Sequence, residues 1–507
     1  MTDNLPSTVA IPGPLAIGLE RYLSRADGQE DLCFAIWQPS TGFRRVGAVI
    51  SEVLWPNDGD RNVHGNASFT GHYLLRALAA AAERSGGLAL LHSHPAGRGW
   101  QGLSHDDWIA EATQGGKALS LTGLPMLGLT YASGDHCWSA RAWMRVGKQK
   151  YEPKHATHVR VVGSEFRVSF NDELVPPVPR SNAQVRTVSA WGDDIQSRIT
   201  RLHVAVVGAG SVGALVAESL ARLGFRNLTL IDFDTVKLHN LDRLLHATVR
   251  DAHLLRSKVT TLARALSLSS AEPLSTHQSE LSIVEDAGLK RALDADIIFS
   301  CVDRPWARAA LNLIAYAHAI PVIDGGIRVE VRNGQMKGAE WRAHVAAPGR
   351  KCMACLGQYE PGDVEAERQG LLEDPRYLSQ LPPDHHLRAS ENVFAFSMAT
   401  AAAEVLEMLR MIVAPSGLSD VGALLTHYTT GVTDRDTGEC VDSCLYSGKI
   451  LGRADNAGFT VTGRHLVAES ERQQRREAAR RPSIRFGRRF DDVLRTLLRL
   501  RMTRSRK

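Results

Sequence analysis

The feature that most constrains the fold is an apolar strand segment that runs into a glycine-rich turn and then a helix. The sequence HVAVVGAGSVGALVAESLARLG begins at His203 and places glycines at Gly208, Gly210 and Gly213. Glycines at this spacing let backbone N–H groups approach a phosphate at a helix N-terminus, where the helix dipole favours anions. The next strand segment ends at Asp232, 19 residues after Gly213, a spacing suited to holding ribose hydroxyls. The pattern predicts a nucleotide-binding α/β domain.

Further strands and helices alternate after this turn. DADIIFSCVD and IPVIDGG are typical of buried strands, and a helical segment from Pro305 to Ala319 separates them. Alternation of this kind predicts a mostly parallel sheet. We therefore expect a Rossmann-like domain over residues 186–451.

A different α/β arrangement is predicted for residues 1–155. LCFAIWQ, RVGAVISEVLW and LALLHSH are typical of strands, and GHYLLRALAAAAERSGG has helical spacing with a glycine stop. Residues 156–185 contain a predicted hairpin, VRVVGSEFRVSF, and a proline-marked linker. Residues 452–507 are arginine-rich and weakly patterned, so we predict a basic, flexible tail there.

Composition excludes several classes of protein. The chain has 507 residues, of which 44% are hydrophobic and 23% charged, so we expect two or three globular domains. It contains no stretch of about 20 uncharged apolar residues and begins without a signal-peptide pattern, so no membrane association is expected. Seven cysteines, an odd number, favour the reducing cytoplasm. Residues 471–507 hold 14 basic and 4 acidic residues, but no recognition fold accompanies them, and we expect no nucleic-acid binding.

The stretch LLHSHPAGRGWQGLSHDDW suggests a metal site in the first domain. Alternate residues of a strand share a face, so His92 and His94 can reach one ion together. A carboxylate from the following helix can supply a third ligand, either Asp106 or Asp107. Two histidines and one carboxylate with an open position are typical of a hydrolytic zinc site.

These residues resemble the pattern of the JAMM (JAB/MPN+) metalloproteases, His-x-His-Pro followed by Ser-x-x-Asp. The resemblance implies that His92, His94 and Asp107 bind the catalytic zinc and that Ser104 assists the oxyanion. The connector AGRGWQG is longer than in the family pattern, which leaves Asp106 as the alternative ligand. The Ser-x-x-Asp spacing favours Asp107.

The same family uses an upstream glutamate as its catalytic acid and base. That glutamate lies at the start of an early strand, which implies Glu30 in the segment EDLCFAIW. Asp31 and Glu52 are the alternatives.

Polar residues after the glycine-rich turn distinguish between two nucleotide chemistries. Taken alone, the turn and Asp232 would suit an NAD-dependent dehydrogenase equally well. The chain continues with Asp234, then Asn240 and Arg243 in HNLDR, and then with a lysine and an aspartate, Lys258 and Asp303. Hydride transfer does not need such a set, whereas attack on the α-phosphate of ATP requires cations to neutralise the charge that develops.

This set resembles the ThiF/ubiquitin-activating superfamily, whose members adenylate the C-terminal glycine of a ubiquitin-like protein. The resemblance implies that Asp232 holds the ribose and Asp234 belongs to the nucleotide pocket. It further implies that Asn240, Arg243 and Lys258 contact the phosphates and that Asp303 coordinates Mg²⁺. The remaining transferred residue, Arg186, resembles the arginine that reaches into the partner's site in the dimers of this family.

Two close cysteine pairs predict a structural zinc. The four residues share the spacing of a zinc knuckle or come close to it; they are Cys352, Cys355, Cys440 and Cys444. Residues 356–439 contain no cysteine, although activating enzymes that pass their cargo onward usually carry a catalytic one there. Either the acyl adenylate passes directly to a partner's nucleophile, or one paired cysteine is catalytic and binds no zinc.

Together these features predict a bifunctional enzyme of a bacterial ubiquitin-like modifier pathway. One domain would adenylate the modifier's C-terminal glycine with ATP and Mg²⁺, and the other would cleave after that glycine with zinc. The implied partners are a ubiquitin-like protein, a ubiquitin-conjugating-enzyme-like protein and a second copy of the chain. The alternatives are activation of a sulfur carrier for thiamin, molybdopterin or cysteine synthesis, and a modifier-binding scaffold whose JAMM-like domain is inactive.

Overall fold

The chain forms two large sheets, each covered by helices. The computed structural model describes residues 5–64, 66–148, 150–179, 181–270, 272–382, 385, 387, 391–491 and 493. Within this described part, no helix is both long and apolar enough to span a membrane.

The first sheet has nine strands in the order β11-β10-β1-β3-β2-β6-β7-β8-β9. Its strands and the small β4–β5 hairpin beside it are β1 (Thr8–Pro12), β2 (Leu32–Thr41), β3 (Val46–Leu54), β4 (Arg61–His64), β5 (Asn66–Phe69), β6 (Gly87–His94), β7 (Leu127–Ala132), β8 (Cys137–Gly147), β9 (Lys150–His155), β10 (His158–Val162) and β11 (Phe166–Phe170). Strands β2, β3 and β6 confirm the three strands predicted for this region. The predicted hairpin is present as β10 and β11, but it pairs with β1 and so extends the first sheet.

The second sheet has eight strands in the order β14-β13-β12-β15-β16-β17-β18-β19. They are β12 (His203–Val207), β13 (Asn227–Ile231), β14 (Ser275–Ser279), β15 (Ile297–Ser300), β16 (Val322–Arg332), β17 (Gln335–Ala346), β18 (Ala423–His427) and β19 (Thr433–Asp436). The strands from β14 to β16 are parallel, as predicted, whereas β17, β18 and β19 add an antiparallel half. The sheet is thus mostly parallel, as expected, but the sequence analysis did not predict its three antiparallel strands.

Fourteen α-helices with defined bounds connect or cover these strands, and the described part of the chain holds a further helical stretch at 482–491. They are α1 (Gly13–Leu23), α2 (Gly71–Glu83), α3 (His105–Thr122), α4 (Val185–Trp191), α5 (Asp193–Arg201), α6 (Ser211–Leu223), α7 (Val249–His253), α8 (Lys258–Ser269), α9 (Asp286–Ala292), α10 (Pro305–Ala317), α11 (Pro361–Arg368), α12 (Pro375–Gln380), α13 (Phe394–Val413) and α14 (Leu466–Arg480). Helices α2, α6 and α10 confirm the helices predicted at those positions.

Alternation along the strands decides which side chains meet which helices. In β6, Leu88 and Leu90 pack in one core cluster with residues of α2 and α3, whereas Ala89 and Leu91 pack in another with residues of α1. His92 and His94 continue the first of these faces because strand side chains repeat every second residue. The strand thus directs both imidazoles toward α3.

A buried charge cluster joins the two sheets. Asp296, which precedes β15, accepts hydrogen bonds from Arg45 (2.5 Å) and from the ring of His158 (3.0 Å), and it lies 3.3 Å from Arg160. All three partners belong to the first domain, and two of them, Arg45 and Arg160, are cations. Burial opposes ionisation of the carboxyl, but the surrounding positive charge outweighs it and holds the pKa of Asp296 well below its ordinary value.

The tail differs from the prediction of a flexible extension. Helix α14 packs on the second domain, and ion pairs join Arg472 to Glu285 and Arg475 to Glu280. Asp491 lies beyond the helix and pairs with Arg250 and Arg256. The basic composition that suggested a solvated tail instead supplies partners for acidic residues of the folded body. Residue 492 and residues 494–507 lie outside the described residues.

Candidate functional sites

Three side chains of the first domain converge on one point. Asp107 lies in the first turn of α3, with Oδ1 3.6 Å from His92 Nε2 and Oδ2 3.5 Å from His94 Nε2. The two Nε2 atoms are 3.3 Å apart, and one potential ligand atom from each of the three residues lies within 4.8 Å of the others. Two imidazole nitrogens and a carboxylate at this separation form a donor set that fits zinc.

Local helix capping explains why Asp107 reaches the histidines. Ser104 is the N-cap of α3: its hydroxyl accepts from the Asp107 N–H and donates to Asp107 Oδ2 at 2.7 Å. The Asp107 side chain in turn accepts from the Ser104 N–H, which completes a capping box. Asp106, the alternative ligand, is exposed, lies 3.5 Å from the Asn66 amide and is not part of the cluster.

The environment of the two histidines suits metal ligands. His92 is buried, and burial together with the charge of Arg141 lowers the pKa of His92 to about 3, so its ring stays neutral. His94 Nδ1 lies 3.0 Å from Gln101 Oε1, which directs the Nε2 lone pair toward the cluster. Sequence analysis missed Gln101 because it stands in the glycine-rich connector, where no spacing marks it.

A buried ion pair between Glu111 and Arg141 lies next to the cluster of His92, His94 and Asp107. Glu111 lies one turn after Asp107 on α3 and accepts hydrogen bonds from Arg141 (2.8 Å) and from the indole of Trp143 (2.6 Å). Arg141 also donates to Thr130, whose hydroxyl lies 3.3 Å from His92 Nε2. These residues fix α3 against β6, β7 and β8. The spacing from Asp107 to Glu111 was the sequence signal available for this second layer.

Glu30 is the upstream carboxylate that faces the cluster. It is half-buried, and burial together with the nearby charge of Asp107 raises its pKa. The charge of His94 acts in the opposite direction but does not cancel this rise. Asp31 instead lies between Arg25 (3.1 Å) and Arg61 (3.0 Å), and Glu52 pairs with Arg84 at 2.7 Å. The two alternatives are thus occupied by arginines.

The glycine-rich turn of the second domain is shaped by close backbone contacts. Gly208 has a φ of +95°, and a Cβ at this position would lie 2.3 Å from the Cys301 carbonyl oxygen. A Cβ on Gly213 would lie 1.8 Å from the Gly208 carbonyl oxygen, so neither position has room for a side chain. Gly210, the N-cap of α6, has open space where its Cβ would be. The turn leaves its backbone accessible at the helix N-terminus.

Asp232 connects this turn to the next strand. Its Oδ2 accepts the Ala209 N–H at 2.7 Å, and its Oδ1 accepts the Asp234 N–H at 2.8 Å. Lys258 Nζ lies 2.6 Å from Asp234 Oδ2. Burial raises the pKa of Asp232, although the charge of Lys258 acts in the opposite direction. Burial would lower the pKa of Lys258, but the negative charges of Asp232 and Asp234 outweigh burial and raise it. The group can hold ribose and phosphate at once.

A cavity of about 980 Å³ opens at the carboxyl ends of the parallel strands, where open α/β sheets bind ligands. Eight of the predicted residues line it: Gly208, Gly210, Asp232, Asp234, Asn240, Arg243, Lys258 and Asp303. Gly213 lies beneath the turn and shapes it. Arg186 lies exposed on α4 and does not line this cavity, so its predicted role in a partner's site stays a prediction.

Several lining residues were not predicted. Cys301 and Glu404 meet in the cavity wall, with the thiol 3.5 Å from Glu404 Oε2. Burial and this carboxyl raise the pKa of Cys301 well above its ordinary value, so the thiol is a poor nucleophile. His465 and Glu471, from the segment predicted as a tail, line the same cavity.

The four paired cysteines form a cluster after β17 and β19. Their sulfur atoms lie within 4.8 Å of one another, and Cys352 Sγ is 3.7 Å from Cys444 Sγ. Backbone N–H groups donate to two of them, from Cys352 to Cys440 Sγ and from Cys355 to Cys352 Sγ. Four converging sulfurs supported by N–H groups fit a tetrahedral structural zinc.

Comparison with known proteins identifies the second domain. Residues 181–426 match the model of the ThiF family. Molybdopterin-synthase adenylyltransferase from Escherichia coli (strain K12) is 32% identical over 182 residues, which cover 35% of this chain and 68% of the relative. The chain therefore belongs to the ThiF family.

Other relatives match over less of their length. Ubiquitin-like modifier-activating enzyme 5 from Drosophila mojavensis is 32% identical over 170 residues, covering 31% of this chain and 40% of the relative. The chain thus spans less than half of that relative. The solved structure of E. coli MccB with ATP is 18% identical, covers 53% of this chain and 75% of that chain, and has a TM-score of 0.41.

Proposed function

We propose that the second domain adenylates the C-terminal glycine carboxylate of a ubiquitin-like or sulfur-carrier protein. The observation that carries the proposal is the single cavity in which the glycine-rich turn, the Asp232–Asp234–Lys258 group and Asp303 meet. Two relatives support it by name, since one is an adenylyltransferase and the other activates a ubiquitin-like modifier.

In the proposed reaction, a carboxylate oxygen of the substrate attacks the α-phosphorus of ATP. A new P–O bond forms, the bond to the β-phosphate oxygen breaks, and pyrophosphate leaves. Lys258 and Arg243 neutralise phosphate charge, and the oxygens of Asp232 retain lone pairs for ribose hydroxyls. Asp303 would hold Mg²⁺, which offsets negative charge on the triphosphate.

The product would pass directly to a nucleophile supplied by a partner. All seven cysteines lie among the described residues, four of them in the zinc-like cluster. Cys301 is the one beside the nucleotide cavity, and its thiol resists ionisation. This chemistry favours transfer without a thioester on the chain itself, to a conjugating-enzyme-like protein or to a sulfur donor.

We further propose that the first domain hydrolyses the amide bond after the same glycine. His92, His94 and Asp107 would hold zinc, which lowers the pKa of a bound water and polarises the carbonyl. Glu30 takes the water proton and passes it to the leaving amine. The Ser104 hydroxyl donates to Asp107 in the resting protein and would turn toward the oxyanion.

Two single substitutions separate the proposed activities. Asp303→Ala should abolish ATP–pyrophosphate exchange stimulated by the modifier and leave cleavage of a modifier–peptide fusion intact. Glu30→Gln should slow cleavage by about 10²- to 10⁴-fold and leave exchange intact. Loss of both activities in either variant would contradict two independent sites. Exchange that responds only to a sulfur carrier, with a thiocarboxylate product, would select the sulfur-carrier alternative.

A further inference from the structure

The C-terminal segment adds a wall to the nucleotide cavity. We call residues 461–480 the strap. Its Gly463 N–H donates to the Val284 carbonyl at 2.8 Å, and the indole of Trp306 donates to the Val461 carbonyl at 2.6 Å. The strap then continues as α14. The strap lies outside the ThiF match, which ends at residue 426.

A salt bridge fixes the strap to the loop that follows β13. Glu471, which is buried, accepts from Lys237 Nζ at 2.7 Å and from the Thr235 hydroxyl at 3.2 Å. The same loop carries Asp234 and continues to Asn240. The position of α14 is therefore tied to the segment that we expect to contact ribose and phosphate.

His465 stands where the strap enters the apolar end of the cavity. It is 9% exposed, and its ring meets Phe233 and Trp306 edge-on, with centroid distances of 5.1 and 5.8 Å. Its Nδ1 is buried and has no hydrogen-bond partner among the described residues. Ile283 and Val284 line the same end. A buried ring nitrogen without a partner beside a cavity is suited to a ligand with a polar edge.

The surroundings indicate which part of the nucleotide this would be. Asp232 contacts the glycine-rich turn through the Ala209 N–H, and the next residue, Phe233, contacts His465. The chain at this point therefore connects the expected ribose position to the apolar end of the cavity. A planar base fits among Phe233, Ile283 and Val284 better than a phosphate, because these residues offer no charge. The unpartnered nitrogen of His465 would then meet the base edge.

We propose that the strap completes the base end of the nucleotide cavity and that His465 recognises adenine through a hydrogen bond to its edge. This inference rests on the proposed function, because it requires that the cavity binds ATP. It assigns nucleotide selectivity to a segment outside the ThiF match.

His465→Phe in the full chain tests the proposal, because it keeps an aromatic ring against Phe233 and Trp306 and removes the nitrogens. Titration calorimetry with a non-hydrolysable ATP analogue and with its GTP counterpart is the readout. Loss of one hydrogen bond should weaken binding of the ATP analogue by about tenfold and reduce the preference over GTP. His72→Phe, at an exposed position of the first domain, is the matched control and should bind like the wild type.

A second measurement uses the wild type alone, because a folding defect in His465→Phe could itself weaken nucleotide binding. Amide hydrogen exchange in residues 461–480 should slow when the ATP analogue binds. Unchanged exchange there, or a variant that binds and discriminates like the wild type, would overturn the role of the strap while leaving adenylation standing. A wild type that binds neither analogue would overturn the proposed function and this inference together.

Discussion

Among single residues, Lys258 is the cation that faces both carboxylates of the nucleotide cavity. It lies 2.6 Å from Asp234, and Asp232 raises its pKa as well. Without this charge, Asp232 and Asp234 would repel each other and the phosphates together. Lys258 therefore has two roles, since it balances the charge of these carboxylates and is one of the proposed phosphate contacts.

Lys258→Met should weaken ATP binding by about 10- to 100-fold, because a hydrogen bond from a charged donor contributes about 1.5 to 3 kcal/mol. Calorimetry with the full chain measures the effect. Lys290→Met, at an exposed i,i+4 pair with Asp286 on α9, is the control and should bind normally. Equal affinity in the two variants would argue against a phosphate role for Lys258.

Among elements, the glycine-rich turn is the one whose conformation depends most clearly on the absence of side chains. Gly213→Ala would place a Cβ 1.8 Å from the Gly208 carbonyl oxygen, so the turn or α6 must shift. We expect a loss of stability of about 1 to 3 kcal/mol, as for other overpacked positions. Gly210→Ala meets open space and should leave the thermal unfolding temperature unchanged. A similar drop in both variants would contradict this account of the turn.

The elements also show what the sequence could and could not predict. The strand–turn–helix at Gly208 and the face shared by His92 and His94 follow from local spacing, and both were predictable. The antiparallel part of the second sheet was missed for two reasons. The β16–β17 pairing is a local hairpin around Asn333-Gly334, a turn signal that the sequence carried. The pairing of β17 with β18 was not predictable, because it joins residues far apart in sequence. The position of α14 was not predictable either, since Arg472 and Arg475 find their acidic partners only in the folded chain.

At the scale of the whole molecule, Asp296 of the second domain forms buried ion pairs with arginines of the first domain. Asp296→Asn would leave Arg160 buried near a neutral amide, and breaking a buried pair in this way costs about 3 to 5 kcal/mol. The variant should unfold at a lower temperature, as measured by scanning calorimetry. Wild-type-like stability would show that the cluster contributes little to the junction.

Ionisation of Asp296 should make the stability of the folded chain depend on pH. The folded pKa of Asp296 is held below its ordinary value of 3.8, so its contribution is present above that value and is lost as pH falls toward the folded pKa. Thermal unfolding temperatures measured across acidic pH should therefore fall more steeply in the wild type than in Asp296→Asn. Parallel curves would contradict this assignment.

Zinc content of the full chain, measured by mass spectrometry, decides whether both metal sites exist. We expect two zinc ions per chain, one lost in His92→Ala/His94→Ala and the other in Cys352→Ser/Cys355→Ser. Asp107→Asn should weaken the first site and Asp106→Asn should not. A wild type that retains one zinc, lost only with the cysteines, would contradict a hydrolytic centre in the first domain.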